Sequence, residues 1–396
     1  MTMAAAIERR TAEAPARSKA GHIASIDVID DLRRAEPIWR RLESRRQVST
    51  PYQHFDLLSA WQRQVGEREQ VRPFIVIAYD AEHTPLLLMP LALRCKYGVR
   101  IASFMGGKHT TFNMALWDRE FAVHAGSADL DALVSKLRAR FAADVLVLAQ
   151  QPARWRDLAN PFAALPHQPS VNDCPVLTMQ PGAPPATLIA SALRGRLKGK
   201  ERKLQKLPGY RYRVADGDVE IEHLLDWFFR VKPQRMAEQK LPNVFAEPGV
   251  EDFIRDACMT AAAGGSRAVV IHALECDEEV IALFAGVADG DRFSMMFNTY
   301  TMSGHARYSP GLILMRHIVD HYAALGYRSL DLGVGADDYK RMFCKDSEPI
   351  FDSFVPLSAR GRVAAASMSA AGRAKRLVKQ NQTLLGVARR LRCALR

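Results

Sequence analysis

The chain has 396 residues, 48% hydrophobic and 25% charged, a balance typical of folded globular proteins and a length that favours two domains. The longest apolar runs, 85–93 and 280–288, fall well short of the about 20 residues that span a membrane, so no transmembrane segment is expected. Of the net charge of +12, residues 190–213 contribute +8 and residues 360–396 contribute +10, which leaves −6 elsewhere and argues against a uniformly basic nucleic-acid-binding protein.

The N-terminus and the cysteines indicate the compartment. Residues 1–21 lack the apolar core of a secretory signal and are predicted to form a disordered tail. The six cysteines are widely spaced and form no CxxC pair, which favours a reducing cytosol over a disulfide framework or a zinc site. A cytoplasmic protein without a bound metal is therefore expected.

The first half of the chain alternates helical and strand patterns. Helices are predicted over 32–45, 56–65 and 130–141, and strands over 74–79, 86–94, 100–104 and 145–149. The proline- and glycine-rich stretch 180–185 is the clearest linker, so a first domain is expected over 22–180. An amphipathic basic helix is then predicted to link the domains over 186–208, because its leucines share one stripe and Pro208-Gly209 ends it.

The second half repeats this order, and a second domain is expected over 209–358. Its predicted elements are helices over 221–240, 250–263 and 310–325, strands over 268–275, 280–288, 292–299, 329–333 and 350–356, and a helical turn over 337–343. Both halves read as two helices, three antiparallel strands, a helix and a strand. This repetition predicts a duplicated α+β unit.

One junction in the second half has the features of an anion site. Ser309 is at the expected N-cap, Pro310 is at the first helical position, and Gly311 leaves the backbone accessible. The free N–H groups and the helix dipole at such a start suit a pyrophosphate, and His305 and Arg307 could add charge. An ordinary capped helix without a ligand is the alternative interpretation.

A second group of residues follows one helix later. Asp331 ends an apolar strand, Gly333 and Gly335 come next, and Tyr339 and Lys340 lie on a helical turn. A Gly-x-Gly pair alone is a weak signal. Its position one helix after the Ser-Pro-Gly start makes the combination more specific.

Together these residues resemble the GNAT-fold acyltransferases associated with cellulose and exopolysaccharide biosynthesis, and more distantly the Fem aminoacyltransferases, which pair two GNAT units. The resemblance covers about 26–357, most strongly after residue 194. It implies an α+β protein with two tandem GNAT-like domains, each a mixed central sheet flanked by helices. The matching residues are Ser309, Pro310, Gly311, Gly326, Tyr327, Asp331, Gly333, Gly335, Tyr339 and Lys340.

The resemblance implies transfer of an acyl group from acetyl-CoA or a longer acyl-CoA, used as co-substrate, to an amine or hydroxyl. Asp331 and His305 are then candidates for the base, with Tyr339 or Lys340 orienting the acceptor or the leaving thiolate. Asp331 could instead cap a loop, and Lys340 could form a structural ion pair. The residues expected to bind the CoA are Asn298, Thr299, Tyr300, Arg307, Tyr308, Ser309, Pro310, Gly311 and Leu312.

Two features depart from this family pattern. The usual Arg/Gln-x-x-Gly-x-Gly/Ala phosphate loop is replaced by HARYSPG, which weakens any transfer of phosphate-binding detail. Lys232 stands where a histidine is expected in the helix before the core, which argues against a helix-borne general base.

The first domain contributes a candidate acceptor cleft. His109, Thr110 and Asn113 follow a strand and two glycines and could face the acceptor across the domain boundary, although a purely structural first domain fits equally well. His317 and His321 are one helical turn apart but have no third ligand nearby, so no metal site is predicted.

The basic C-terminal region, 359–396, bears on the location of the protein. Within it, 371–396 mixes leucines with arginines as membrane-surface helices do, although a solvated terminal helix fits as well. We therefore expect N-acyl transfer to a glycan or a lipid-precursor amine in envelope or exopolysaccharide biosynthesis, at the inner face of the membrane. The alternatives are a Fem-like transferase that uses aminoacyl-tRNA and a non-catalytic GNAT scaffold; nucleic-acid binding is not expected, because the basic segments have few interleaved aromatics.

Overall fold

The computed structural model describes residues 21–381 except 45, 181, 262–266 and 336–337. The predicted tail, apart from its last residue, and the end of the basic C-terminal region, 382–396, lie outside the described residues. No helix within the described ranges combines the length and the apolar character that crossing a membrane requires.

The strands form two large mixed sheets and one small hairpin. The strands are β1 Ser25–Ile29, β2 Arg72–Tyr79, β3 Pro85–Lys96, β4 Val99–Phe104, β5 Leu116–Trp117, β6 Val145–Pro152, β7 Arg154–Trp155, β8 Leu158–Ala159, β9 Gln168–Pro169, β10 Cys174–Thr178, β11 Arg211–Val214, β12 Val270–Glu275, β13 Val280–Ala288, β14 Arg292–Tyr300, β15 Ser329–Asp331, β16 Asp346–Glu348 and β17 Ile350–Pro356.

The helices flank these sheets. They are α1 Leu32–Leu42, α2 Phe55–Trp61, α3 Arg119–His124, α4 Ser127–Ala139, α5 Pro185–Leu188, α6 Ser191–Leu204, α7 Asp218–Glu238, α8 Val250–Met259, α9 Pro310–Ala324, α10 Asp338–Phe343 and α11 Ala359–Gln380. A π-helical turn, Gln62–Gly66, continues α2. The single basic helix predicted over 186–208 is in fact two helices, because Ile189 adopts an extended conformation between α5 and α6.

The two sheets repeat one strand pattern. The first has the order β1-β2-β3-β4-β6-β17-β9, with β5 beside β3, and the second has the order β11-β12-β13-β14-β15-β10-β16. In each, four antiparallel strands are followed by one parallel strand, β6 beside β4 and β15 beside β14, and then by an antiparallel strand. The α+β fold with two GNAT-like units, each a mixed sheet flanked by helices, is confirmed.

The antiparallel strand that follows the parallel one comes, in each sheet, from the other half of the sequence. β10, which precedes the linker, pairs with β15 of the second sheet, and β17 pairs with β6 of the first. The strand predicted over 350–356 has the predicted bounds, but the prediction that it completes the second unit is wrong, because it lies in the first sheet. Hydrophobic periodicity identifies a strand but contains no information about its partner, which explains the error. We call 22–169 with 350–380 the first lobe and 174–348 the second lobe.

The apolar residues of the strands form two buried clusters. One joins the first sheet, α1, α2 and α4 to the α7 and α8 face of the second lobe, and the other lies between the second sheet, α6 and α9. The first cluster thus crosses the boundary between the lobes. The lobes are consequently packed as one body around the cleft described next.

Candidate active site

Strand β14 has an edge that opens toward solvent. It pairs with β15 only over Arg292–Ser294, whereas it continues alongside β13 to Tyr300. Thr301 N donates to Ile281 O at 2.8 Å, and since hydrogen-bonded pairs alternate along an antiparallel ladder, the backbone groups of Asn298 and Tyr300 point to the open edge. Two of the three predicted strand residues therefore turn their backbone groups to the open edge, whereas Thr299 faces β13.

Lys232 on α7 lies at this open edge. Its Nζ donates to Asn298 O at 2.8 Å and lies 5.5 Å from the centre of the Phe245 ring. Burial, with a smaller effect from the charge of Arg235, lowers the pKa of Lys232 to about 8. A lysine in this environment is partly neutral near physiological pH, so the helix does carry a group able to accept a proton.

The loop from β14 to α9 contains the residues that the sequence predicts to bind phosphate. Ser309 is the N-cap residue of α9, as predicted, but it adopts a left-handed conformation with φ of 58° and its side chain makes no capping bond. Its Oγ accepts instead from Lys200 Nζ of α6 at 2.8 Å. Pro310 is at the first helical position, and Gly311 lies against the Tyr300 ring, where a Cβ would be 3.4 Å from Tyr300 Cδ1.

The other predicted residues of the loop have distinct surroundings. Arg307 is exposed, with its guanidinium carbon 5.0 Å from the Tyr308 ring centre, whereas Tyr308 and Leu312 are half-buried. Tyr300 is covered by Arg235, whose guanidinium carbon lies 3.4 Å from the ring centre. Cations thus lie on both sides of the α9 start.

His305 contacts the β12–β13 turn rather than the open edge. Its Nδ1 lies 2.6 Å from Glu279 Oε1, and the same carboxylate accepts from Thr301 Oγ1 at 2.7 Å and Ser303 Oγ at 2.8 Å. These bonds fasten the loop to the sheet. The structure therefore does not bring His305 together with Lys340, and its geometry is that of a residue that holds the loop.

Asp331 belongs to a buried network and has no exposed surface. Its Oδ2 accepts from Arg292 Nε at 3.0 Å and from Ser294 Oγ, and its Oδ1 accepts from Gly333 N at 3.0 Å. Arg292 also donates to Glu348 at 2.6 Å. Both carboxylate oxygens are bonded to buried groups of the protein, so the catalytic role predicted for Asp331 would act through the position of the loop that follows.

Arg292 links this network to the first lobe. Its guanidinium carbon lies 4.6 Å from the Phe112 ring centre and 4.9 Å from that of Trp155. Tyr52 Oη of the first lobe donates to Met295 O at 3.3 Å. These contacts fix the first lobe against the beginning of the open edge.

A cleft of about 270 Å³ lies where the two lobes meet beside that edge. Lys340 lines it, and its Nζ donates to Gly333 O at 3.1 Å and Val334 O at 3.0 Å. Tyr339 packs against the second-lobe core instead. The cleft is lined from the second lobe by Met295, Met296, Phe297, Leu332, Gly333, Val334, Lys340 and the α7–α8 residues Val244, Phe245, Val250, Phe253 and Ile254.

The first lobe provides the opposite wall, including His109 and Thr110. Trp61 Nε1 donates to His109 Nδ1 at 3.1 Å, which leaves the ring proton on Nε2, and that atom has no partner among the described residues. Burial, and to a lesser degree Lys108, lowers the pKa of His109 and keeps the ring neutral. Asn113 is behind this wall, where it accepts from Thr110 Oγ1 and donates to Ala149 O.

Other cavities and histidines are less suited to the predicted chemistry. A groove of about 890 Å³ runs between α1 and β2, but its lining residues all belong to the first lobe, away from the open edge. His317 lies 2.5 Å from Glu201 and stacks on Tyr212. Across the described ranges, no three His, Cys, Asp or Glu side chains are grouped as metal ligands.

The site is thus split into two neighbouring parts. The open edge, Lys232 and the α9 start form one part, and His109, Thr110 and Lys340 form the cleft beside it. The sequence analysis treated Lys232 as a lost histidine and did not single out Lys200 within the basic helix. The roles of these lysines depend on which strand edge remains unpaired, which the sequence does not show. The only signal in the sequence that could have indicated them is a lysine on the apolar side of a helix.

A known family matches the part of the chain that contains the open edge. Residues 191–341, which include α6, the open edge and the α9 start, match the acetyltransferase (GNAT) domain family. No relative of the chain was found among curated proteins.

Solved structures extend the likeness to both lobes. FemX aligns with a TM-score of 0.56 and 7% identity over 86% of this chain and 100% of its own. The C-terminal domain of a protein assigned as a lysylphosphatidylglycerol synthetase from Agrobacterium fabrum aligns at 0.50 and 14% identity, covering 86% and 95%. L-PGS from Bacillus licheniformis aligns at 0.50 and 11% identity, covering 86% and 97%. At these identities the likeness concerns the fold, so the chain has a two-lobed fold similar to these proteins and an acetyltransferase-like domain within it.

Proposed function

We propose that the protein is an acyltransferase that takes its acyl group from acetyl-CoA or a longer acyl-CoA. The observation that carries the proposal is the open edge of β14, which leads directly into the α9 start. The backbone groups of Tyr300 and the backbone N–H of Asn298 would pair with the amides of the pantetheine arm, while the Asn298 carbonyl holds Lys232. The helix start and the cations around it would hold the phosphates.

Lys232 is the proposed base. In its neutral form the amine accepts a proton from the attacking amine or hydroxyl as the new bond to the thioester carbonyl carbon forms. The carbon–sulfur bond then breaks, and the CoA thiolate leaves and is protonated. Backbone N–H groups at the open edge would stabilise the oxyanion, while His109 Nε2–H and Thr110 would orient the acceptor in the cleft.

Binding of CoA tests this proposal directly. A ligand at 100 times its dissociation constant stabilises the folded state by about 2.7 kcal/mol, which a thermal-shift assay detects readily. We expect acetyl-CoA and at least one longer acyl-CoA to raise the melting temperature, with ADP alone giving a smaller shift. If no acyl-CoA from acetyl to palmitoyl raises the melting temperature, the donor assignment is wrong.

The acceptor is proposed to be an amine on a glycan or on a lipid precursor. The cleft wall supports an acceptor with a polar group beside an apolar portion, because neutral His109 and Thr110 face Phe245, Phe253 and Ile254 across it. Incubation with labelled acetyl-CoA and a panel of amino sugars and amino lipids, read by mass spectrometry, identifies the product. Transfer from an aminoacyl-tRNA but from no acyl-CoA would support the Fem-like alternative.

Association with an anionic membrane is proposed for the C-terminal region, 371–396. Arg373 and Lys375 are exposed on α11, and the exposed Val363 and Leu377 lie on its outer face. Arg376, by contrast, forms an ion pair with Asp173. Deleting 371–396 should release the protein from anionic vesicles without unfolding it, and unchanged vesicle binding would assign this helix to the solvated alternative.

A further inference from the structure

Lys200, already placed beside the α9 start, is the middle of a row of cations on α6 whose other members have no role in the chemistry above. Arg196, Lys200 and Lys203 are spaced four and three residues apart, which places them on one flank of the helix. The row spans about 10 Å at 1.5 Å per residue. Among the described residues, none of the three forms an ion pair with a carboxylate.

The flank that carries this row faces the α9 start. Lys200 Nζ donates to Ser309 Oγ at 2.8 Å, which fixes the middle of the row beside the first turn of α9. Arg196 and Lys203 are exposed on either side of Lys200. Arg307, exposed on the loop that α6 contacts, adds a fourth charge to the same surface.

The remaining charges of α6 are either neutralised or point elsewhere. Arg194 is buried and donates to both oxygens of Asp320, at 2.8 and 2.9 Å. The one acid of the helix, Glu201, accepts from Arg316 at 2.6 Å on the buried side. Lys198 and Arg202 lie on the opposite, solvent-exposed flank. The uncompensated charge of α6 at the α9 start therefore comes from a single flank.

We infer that α6 recognises the phosphates of the nucleotide part of CoA, a role that rests on the proposed function. Lys200 would contact the pyrophosphate beside Ser309, and Lys203 or Arg196 the 3′-phosphate further along the row. Glu279 of the β12–β13 turn, the acid that contacts this loop, is already bonded to His305, Thr301 and Ser303 and so opposes an anion little. Cations on α6 would thereby do part of the work of the glycine-rich phosphate loop that this sequence lacks. The donor is then a nucleotide-bearing thioester rather than one that ends at the pantetheine.

Matched lysine variants of the full chain test the inference. Affinities for CoA and 3′-dephospho-CoA are measured by titration calorimetry for Lys200→Gln, Lys203→Gln and the control Lys198→Gln. Lys200→Gln should weaken CoA binding by about tenfold or more, the low end for losing one hydrogen bond to a charged group. Lys203→Gln should narrow the preference for CoA over 3′-dephospho-CoA, whereas the control should change CoA affinity less than about twofold. Melting temperatures within a few degrees of wild type show that the variants are folded.

Each outcome separates the two proposals. If the wild type binds CoA and Lys200→Gln and Lys203→Gln bind it as tightly as the control, the α6 inference is wrong and the acyl-CoA function stands. If the wild type binds neither CoA nor acyl-CoA, the proposed function fails first. If the variants lose affinity for anionic vesicles and keep their affinity for CoA, the row is a membrane-binding surface instead.

Discussion

The two lobes have the same strand order, yet their pairs of parallel strands differ in the charge of the residues that face each other. Where β4 and β6 run parallel, Ile101 pairs with Val145 and Ser103 with Val147. At the corresponding positions of the second lobe, Arg292 pairs with Ser329 and Ser294 with Asp331. The paired positions of the first lobe thus carry no charge, and its ion pair, Arg100 with Asp144, lies one residue before them with Arg100 partly exposed. In the second lobe the ion pair is at the paired positions themselves and is buried.

The helices that lead into the second strand of each parallel pair, α4 before β6 and α9 before β15, differ in the same way. The first turn of α4 contains Asp129, whose carboxylate accepts from the Gly126 N–H at 3.1 Å, so the helix dipole is satisfied internally. The first turn of α9 has no acid, and Ser309 makes no capping bond. In this duplicated fold, one helix start is therefore capped by a carboxylate of its own first turn, whereas the equivalent start has no such carboxylate and could bind an anion.

The largest expected effect concerns the buried ion pair of the second lobe. Asp331→Asn leaves Arg292 buried with only Glu348 as a charged partner and should lower the free energy of unfolding by about 3–5 kcal/mol, as when one partner of a buried pair is lost. Glu348→Gln, which is nearer the surface, should lower the free energy of unfolding by a smaller amount. Chemical denaturation measures both. If Asp331→Asn instead keeps its stability and loses turnover by about 100-fold or more, Asp331 acts directly in catalysis.

The variant Lys232→Met tests whether the open edge of the second lobe takes part in catalysis. Turnover should fall by about 100-fold or more, while CoA affinity stays within a few-fold of wild type. In the wild type, turnover should rise as the pH passes about 8, because the protonated amine that dominates at lower pH cannot accept a proton. Lys232→Arg should be as inactive as Lys232→Met, and the exposed Lys240→Met should be active. A rate that falls above pH 8 would mean that the ammonium form is the working one.

The smallest expected effect comes from giving the second helix start the character of the first. Ser309→Asp places a carboxylate at the α9 start, where it pairs with Lys200 and opposes a phosphate, so CoA affinity should fall by about tenfold relative to Ser309→Asn. Asparagine is the matched control because both residues tolerate the left-handed conformation of position 309. Calorimetric titration with CoA compares the two variants. Equal affinities would show that charge at this helix start does not matter to the ligand.

Sequence patterns were sufficient for elements whose residues interact locally. Alternation and turn residues predicted β13 with its observed bounds, and Pro310 marked the beginning of α9. Non-local pairing was not predictable, since the position of β17 beside β6 depends on the packing of the whole chain. The same limit applies to Lys232: its lowered pKa results from burial at a strand edge, which a helical pattern does not reveal.

The positions of β10 and β17 also bear on the order in which a nascent chain can assemble. All strands of the second sheet have been synthesised once residue 348 leaves the ribosome, whereas the first sheet still lacks β17, which belongs between β6 and β9. Domains generally fold in N-terminal to C-terminal order during synthesis. Here the lobe that begins first is completed last, and until then the edge of β6 that receives β17 is exposed to other chains.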